Sequence, residues 1–273
     1  MRYVLNTYYN IMKSLKIIGS IVLITIMAAC STVPLTGRRQ LSLANSEAIQ
    51  QEAAQAYRQF LSDPKVTVVR SGSELTRVRT VGNRIARAVE TYLNQNGYAG
   101  KYNLQWEFNL IQSKDINAWA MPGGKVAVYT GLIPVAQTDA GLATVMGHEI
   151  AHAIARHAEE RYSQMMGAQA LGGVVGAATG GSQAIGQLYG IGGQLALLKY
   201  GRSQETEADR LGLVFMAMAG YSPDNALSFW RRMASAKEGN GTPPEFLSTH
   251  PSDETRIAQI QKHLPEARKY YRQ

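Results

Sequence analysis

The chain of 273 residues has little cysteine and little charge. Its one cysteine, Cys30, cannot form an intramolecular disulfide or supply the ligand cluster of a zinc finger. Charged residues make up 18% of the chain, with 28 basic and 20 acidic side chains giving a net charge of +8. No basic run with interleaved aromatic residues accompanies this surplus, which argues against a nucleic acid as a partner. The 45% of hydrophobic residues is ordinary for a globular protein and excludes disorder, collagen and a disulfide scaffold.

The cysteine follows a segment with the features of a signal peptide. The thirteen residues 17–29 carry no charge, and Lys13 and Lys16 lie just before them. A basic start, a short apolar stretch and small residues at the end are typical of a cleaved secretion signal. Such a stretch is too short to cross about 30 Å of hydrocarbon comfortably. We therefore predict a signal peptide over residues 1–29, whose removal lowers the net charge from +8 by three to +5.

Residues 27–30, Met-Ala-Ala-Cys, resemble the lipobox of bacterial lipoproteins, with methionine in place of the usual leucine. The resemblance implies cleavage before Cys30 and acyl chains on Cys30, which would anchor the protein to a membrane. Ser31 in the next position favours the outer membrane of a Gram-negative cell, with the protein facing the periplasm. The alternative is a simple secretion signal followed by an incidental cysteine.

The rest of the chain divides into a short tether and one domain. Residues 30–45 lack periodicity and contain proline and glycine, so we predict a tether there and a domain over residues 46–273. Apolar spacing and turn residues predict helices and strands within the domain. The helices are expected at about 46–60, 74–93, 139–160 and 203–219, and the strands at 106–111 and 125–130.

One segment of the domain is unusual in composition. Residues 162–198 carry no charge, and ten glycines fall between positions 167 and 193. Glycine weakens a helix and glutamine would face lipid, which argues against a membrane span. We interpret the segment as loosely packed helices or a flap over a neighbouring site, with a surface excursion that has no role as the alternative.

The predicted helix over residues 139–160 carries a metal-binding pattern. His148-Glu149-Ile150-Ala151-His152 places two histidines four residues apart, so they lie on one face and can bind one zinc ion. Glu149 lies beside them, where it can accept a proton from a water molecule. The alternative is a helix whose histidines face the solvent.

A zinc site needs a third protein ligand besides these histidines. Ala155 and Ala158 stand where a metzincin has a glycine and its third histidine, and His157 is expected on the surface. Acidic residues on the helix at 203–219 are the other source. Glu205 as ligand would leave Asp209, four residues later, to accept a hydrogen bond from a zinc-bound histidine, while Glu207 is turned away. The alternative is an acidic first turn that stabilises its helix dipole.

These motifs resemble the HtpX and CAAX-prenyl-protease family of gluzincin metallopeptidases. The likeness covers most of residues 35–263 and includes residues 34–38, 117–124, 129–132 and 249–251 with Arg256. It implies an α+β, zincin-like metalloprotease domain, mainly helical with a small β-sheet and the histidine pair on an active-site helix. It also implies one Zn²⁺ per chain, held by His148, His152 and Glu205, with Glu149 as general base and Asp209 as hydrogen-bond partner of a ligand. Without the membrane spans of HtpX, the chain is similar to the periplasmic lipoprotein branch, which includes LoiP and the protease domain of BepA.

The resemblance assigns roles to three further places. Asn117, Ala118, Trp119 and Ala120 are expected in an edge strand that pairs with an extended substrate backbone, although a plain edge hairpin is the alternative. His250 is expected either to stabilise the oxyanion or to occupy the open zinc position as a reversible plug. Arg256 is expected to help stabilise charge at the site.

The predicted function is a zinc-dependent endopeptidase of the cell envelope. Its substrates are expected to be misfolded or unassembled envelope proteins, and the outer-membrane assembly machinery is a candidate partner. One alternative is a chaperone-like lipoprotein that binds unfolded outer-membrane proteins, with latent peptidase activity. Another is hydrolysis of peptidoglycan peptides by the same chemistry, which the predicted substrate strand makes less favourable.

Overall fold

A computed structural model describes residues 30–171, 200–236, 241–250 and 254–272. The predicted signal peptide and residues 172–198 of the uncharged segment lie outside these ranges. The strands are β1 (Cys30–Thr32), β2 (Arg39–Leu41), β3 (Glu107–Ile111), β4 (Ala118–Met121) and β5 (Lys125–Tyr129). The helices are α1 (Ser46–Ser62), α2 (Ser73–Gln95), α3 (Ile133–Ala136), α4 (Asp139–Ile154), α5 (His157–Leu171), α6 (Arg202–Met218), α7 (Asn225–Ser235), α8 (Glu245–Thr249) and α9 (Glu254–Arg268), with a 3₁₀ turn at Thr130–Leu132. The predicted α+β class, mainly helical with a small sheet, is confirmed.

The sheet that faces the site has three strands in the order β3-β5-β4. β3 pairs with β5 in parallel, and β4 returns antiparallel to β5 after the turn at Pro122-Gly123-Gly124. Gly124 is needed in this turn, because its φ is +90° and a Cβ there would lie 2.7 Å from the Trp106 ring. The strand predicted to bind substrate therefore does form one edge of the sheet.

Side chains of the sheet alternate between two hydrophobic cores. On β5, Val126 and Val128 face the larger core, which α2, α4, α6, α7 and α9 share. Ala127 and Tyr129 face the smaller core, which is covered by α1. Trp119 of β4 belongs to the smaller core, where its ring packs edge-on against Tyr57. The sheet is thus buried on both faces. Among the described residues, β4 has no strand paired to its outer side, whereas the other edge strand, β3, has a bridge between Ile111 and Val68.

The helix predicted over residues 139–160 is two helices. α4 ends at Ile154, and Arg156 takes a left-handed backbone conformation with φ of +56°. This residue redirects the chain, and α5 begins at His157. The prediction of His157 as a surface residue is therefore wrong, because it assumed one continuous helix. His157 is fully buried.

Residues 30–45 are more ordered than a tether. β1 and β2 form an antiparallel hairpin, and Val33 in its turn is fully buried in the larger core. Arg38 forms ion pairs with Glu160 of α5 and Glu207 of α6, at 2.7 Å each. These contacts fix the hairpin to the domain. The division of the chain at residues 29 and 45 stays a prediction.

Helices α4 and α6 cross where each has a glycine, Gly147 on α4 and Gly212 on α6. A Cβ at Gly147 of α4 would lie 2.9 Å from the carbonyl oxygen of Gly212, and one at Gly212 of α6 would lie 2.8 Å from the His148 nitrogen. The absence of both side chains lets the backbones touch, which brings Glu205 on α6 to the histidines on α4. None of the described helices has the length and apolarity that crossing a membrane requires.

Candidate metal centre

Four buried side chains converge on one point of the domain. His148, His152, Glu205 and His250 each direct one ligand atom there, all within 4.8 Å of one another. The Nε2 atoms of His148 and His152 are 3.1 Å apart, as the four-residue spacing on α4 predicts. Glu205 follows from the contact between α4 and α6, with Oε1 lying 3.3 Å from Nε2 of His152. The ligand set predicted from the sequence is therefore brought together.

The separations fit a zinc ion. Zinc–ligand distances of about 2.0–2.2 Å place neighbouring tetrahedral ligand atoms about 3.3 Å apart. Five separations among these side chains, counted to either oxygen of Glu205, run from 2.9 to 3.6 Å. Oε2 of Glu205 is buried and accepts no hydrogen bond from the described residues, although Arg256 Nη1 lies 3.2 Å away. Three imidazoles and one carboxylate are also the donor types that zinc prefers.

For His148, His152 and Glu205, the protonation states favoured by the surroundings are those that zinc requires. Burial and the nearby Arg256 lower the pKa of His148 to about 4, and burial lowers the pKa of His152 well below its usual value. Burial alone would raise the pKa of Glu205, but the neighbouring histidines outweigh it and hold that pKa well below its usual range. Both histidines are thus neutral and the glutamate is ionised, so each can donate a lone pair.

His250 occupies the fourth position of the group. It follows α8, and its Nδ1 lies 2.9 Å from Oε1 of Glu205 and 3.2 Å from Nε2 of His148. The Phe246 ring one turn earlier on α8 stacks on the imidazole at 4.5 Å between centroids. Burial lowers the pKa of His250, yet Glu205 and Glu149 outweigh it and raise that pKa. Both roles predicted for His250, the reversible plug and the oxyanion donor, stay predictions.

Asp209 and Arg256 both contact His148, Asp209 on the side of its ring that faces away from the ligand group. Oδ1 of Asp209 lies 2.9 Å from Nδ1 of His148, so the opposite ring nitrogen faces the ligand group. Arg256 binds Asp209 through two nitrogens, at 2.8 and 2.9 Å, and its guanidinium lies 3.5 Å from the Trp230 ring centroid. Burial alone would raise the pKa of Asp209, but Arg256 and His148 outweigh it and lower that pKa. Asp209 thus contacts a predicted ligand, and Arg256 contacts both Asp209 and Glu205.

Glu149 lies between the ligand group and the edge strand. Its Oε1 is buried and accepts no hydrogen bond from the described residues, and it lies 3.5 Å from Nε2 of His250. The carboxylate also accepts a hydrogen bond from the backbone N–H of Ala120 in β4. Burial raises the pKa of Glu149 to about 7. A carboxylate with this pKa can both accept and release a proton near neutral pH.

Two residues at the site were not predicted. Tyr200 stacks on the His152 ring with 4.0 Å between centroids and lies 5.3 Å from the His250 ring. His157 places its Nδ1 2.8 Å from Nδ1 of His152. The spacing of His157 five residues after His152 is visible in the sequence, but its meaning depends on the break between α4 and α5. Nothing in the sequence singles out Tyr200.

Comparisons with known proteins agree with this chemistry. The sequence profile described as "Peptidase family M48" matches residues 78–264. The chain is 32% identical over 241 residues to the mitochondrial metalloendopeptidase OMA1 of Schizosaccharomyces pombe, covering 86% of this chain and 66% of that protein. It is 36% identical over 176 residues to OMA1 of Saccharomyces cerevisiae, covering 62% of this chain and 50% of that protein. It is 28% identical over 190 residues to the β-barrel assembly-enhancing protease of Escherichia coli, covering 65% of this chain and 39% of that protein.

The comparisons correct the predicted location. Mitochondrial proteases of fungi, cattle and plants match this chain with stronger similarity than the bacterial assembly protease does, so the outer membrane of a Gram-negative cell is not supported. They also do not single out the HtpX or LoiP branch. The chain spans between about four tenths and two thirds of the length of these three relatives. The prediction of a zinc metallopeptidase is confirmed by the profile match and the ligand group, and the chain belongs to peptidase family M48.

Proposed function

We propose that this protein is a zinc-dependent endopeptidase that cleaves peptide bonds in extended segments of unfolded or unassembled proteins. The observation that carries the proposal is the position of Glu149, which touches both the ligand group and the backbone of the edge strand β4. A proton-accepting carboxylate, a metal site and a strand that can bind a peptide backbone are therefore in contact with one another.

The chemistry follows from the residues around the ligand group. His148, His152 and Glu205 would hold a zinc ion, which would supply Lewis-acid chemistry for polarising a peptide carbonyl and making a water molecule more acidic. Glu149 accepts a proton as the water attacks, because its buried carboxylate has a pKa near neutrality and its Oε1 has no competing donor among the described residues. The same carboxyl group then donates this proton to the leaving amine.

The edge strand offers a place for the substrate. β4 pairs with β5 on one side only, and the N–H of Ala120 points away from β5 to Glu149. An extended peptide can add to this side as a fourth strand, which places its backbone beside Glu149. The Trp119 side chain is committed to the smaller core. Recognition through Asn117–Ala120 would therefore use main-chain groups and tolerate many side chains.

The substrate class follows from this recognition mode. A folded protein keeps its backbone hydrogen bonds internal, whereas an unfolded or unassembled chain can supply a free strand. The name of the E. coli relative associates that protein with β-barrel assembly. We extend to this chain only the class of substrate that failed assembly leaves behind, a protein with exposed backbone.

The position of His250 supports a closed resting state. An imidazole in the fourth ligand position excludes the water molecule that hydrolysis needs, so we infer that His250 must withdraw before cleavage. This observation also favours the second candidate function, a protein that binds unfolded chains and cleaves them only when the plug is released.

A cleavage assay separates these functions. Unfolded, carboxymethylated casein would be incubated with the wild-type chain, His250→Ala and the double variant His250→Ala/Glu149→Gln, and fragments would be identified by mass spectrometry. We expect the single variant to cleave, a chelator to abolish this cleavage and the double variant to be inactive while retaining zinc. Cleavage by the double variant, or cleavage that survives chelation, would contradict the proposal.

A further inference from the structure

The two histidines of α4 are oriented by different partners. Nδ1 of His148 meets the carboxylate of Asp209 at 2.9 Å, which is the usual arrangement for a zinc ligand. Nδ1 of His152 instead meets a second imidazole, that of His157, at 2.8 Å. Nε2 of His157 lies 3.0 Å from Oε2 of Glu207. His152 therefore reaches a carboxylate, that of Glu207, only through the imidazole of His157.

Proton positions along this path follow from the zinc site. His152 uses Nε2 as the ligand atom, so its Nδ1 carries a hydrogen and donates it to Nδ1 of His157. Nδ1 of His157 is then the acceptor, and its Nε2 faces Oε2 of Glu207, which can accept a hydrogen bond from it. The path therefore runs from Nδ1 of His152 through the two nitrogens of His157 to Glu207.

Glu207 is anchored by the hairpin at the start of the described chain. Thr36 donates its hydroxyl hydrogen to Oε1 at 2.5 Å, and Arg38 donates Nε–H to Oε2 at 2.7 Å. Arg38 also binds both carboxylate oxygens of Glu160 on α5, at 2.7 and 2.9 Å. Burial alone would raise the pKa of Glu207, but hydrogen bonds from His157, Thr36 and Arg38 outweigh it and lower this pKa to about 2. Glu207 is thus an ionised acceptor held between the hairpin and His157.

We propose that His157 and Glu207 are positioning residues for the metal site, which fix the tautomer and ring orientation of His152 and couple the turn at residues 36–38 to metal binding. His157 is fully buried, and Glu207 is 7% exposed. The inference rests on the zinc site and not on peptidase activity, so its tests measure metal binding.

Zinc affinity tests the positioning role. Full-length His157→Leu removes the acceptor for His152, and we expect its zinc dissociation constant, measured by competition with a chromophoric chelator, to rise about 10- to 100-fold. His157→Gln offers a carbonyl acceptor and an amide donor, so it should recover part of this loss. Cobalt(II) absorption bands should shift in His157→Leu and move back towards the wild-type spectrum in His157→Gln.

A matched control separates positioning from general destabilisation. Tyr57→Phe removes a buried hydrogen bond of 2.8 Å to the Val126 carbonyl in the smaller core, away from the ligands. We expect it to lower stability without changing zinc affinity. The proposal is overturned if the zinc dissociation constant of His157→Leu lies within twofold of the Tyr57→Phe value. If His157→Leu does not fold, Glu207→Gln is the substitute, with a several-fold weaker affinity expected and an unchanged affinity overturning the proposal.

Hydrogen exchange tests the coupling to the hairpin. The Gly37 N–H donates to the Val33 carbonyl within the turn, at 3.0 Å. Coupling free energies are reciprocal, so zinc added to the apoprotein should slow exchange at Gly37 and Arg38. This protection should vanish in His157→Leu, whereas amides of the distant turn at Tyr98, whose N–H donates to the Leu93 carbonyl, should be unaffected in both proteins. Equal protection of residues 37–38 by zinc with and without His157 would refute the coupling.

Discussion

At the scale of single residues, the site owes its chemistry to burial offset by specific partners. Burial opposes charge on every member of the ligand group, and only Glu205 and His250 have enough opposite charge nearby to overcome it. For Glu149, burial outweighs the opposing effect of His250 and Arg256, and its pKa is raised to about 7. The pKa values of these two neighbouring carboxylates are thus shifted in opposite directions, which suits the roles of ligand and base proposed for them.

Replacement of Glu205 tests the third ligand. Glu205→Gln keeps the shape of the side chain but removes its charge, so we expect zinc content after dialysis to fall well below one equivalent. Cleavage should fall with it. Zinc can be measured by atomic absorption, with Glu266→Gln, which breaks the half-exposed pair with Arg210, as the control that keeps full occupancy. Full occupancy in Glu205→Gln would move the third ligand elsewhere.

Replacement of His250 tests the plug. His250→Ala frees the fourth position, and we expect casein cleavage to rise about tenfold or more at unchanged zinc content. The rate and the zinc content should be measured on the same preparation. A fall in the rate at full zinc content would instead show that His250 stabilises the reacting oxyanion.

The sequence predicts the first ligands well because local spacing decides them. His148, Glu149 and His152 lie within one and a half turns of one helix, so their relation needs no knowledge of the rest of the fold. His157 shows where this reasoning stops. A left-handed residue at Arg156 is not evident from the sequence, and it turns an expected surface residue into a buried partner of a ligand.

At the scale of elements, the contact between α4 and α6 sets the geometry of the site. A Gly→Ala change inside a helix ordinarily stabilises a protein by about 0.5–1 kcal/mol. For Gly212→Ala we expect the opposite sign, a loss of about 1–3 kcal/mol, because the new methyl group would lie 2.8 Å from the His148 nitrogen. Urea denaturation measures this, and Ser203→Ala at an exposed position of α6 should stay within about 0.5 kcal/mol. Stabilisation by Gly212→Ala would contradict the close helix contact.

The edge strand gives a second prediction at this scale. Ala120→Pro removes the N–H that faces Glu149, while proline is tolerated on edge strands. We expect kcat/KM for an unfolded substrate to fall at least about tenfold in the His250→Ala background, with zinc content unchanged. An unaltered kcat/KM would remove β4 from substrate binding.

Elements with strong periodicity were predicted with good boundaries, such as α2, expected at 74–93 and found at Ser73–Gln95. The hairpin at residues 30–41 was not predicted, because its order depends on Val33 and Arg38 finding distant partners. Arg38 pairs with residues 122 and 169 positions further along the chain. No local pattern reports such contacts.

At the scale of the whole molecule, the ligand group joins three parts of the chain, α4, α6 and the residue after α8. A metal bound there should therefore stabilise the entire domain. Zinc at about 100 times its dissociation constant should add about 2.7 kcal/mol to the free energy of unfolding. Calorimetry of the apoprotein and the zinc-loaded protein checks this, and equal unfolding temperatures would contradict the placement of the ligands.

The family could be predicted from the sequence, because its motifs include the residues of the ligand group. The prediction of the cellular location was wrong, because it depended on a short motif at residues 27–30 that lies outside the metal site. Mitochondrial and bacterial proteases both match this chain. The site therefore identifies the chemistry, and it carries no information on the compartment.

The most direct test of the account is a zinc titration of the apoprotein with cleavage as the readout. In the His250→Ala background, we predict no cleavage without metal, a linear rise to one equivalent of zinc and a plateau beyond it. Glu149→Gln in the same background should bind the same equivalent and stay inactive. Cleavage by the apoprotein, or a rise that does not end at one equivalent, would contradict a single zinc site as the catalytic centre.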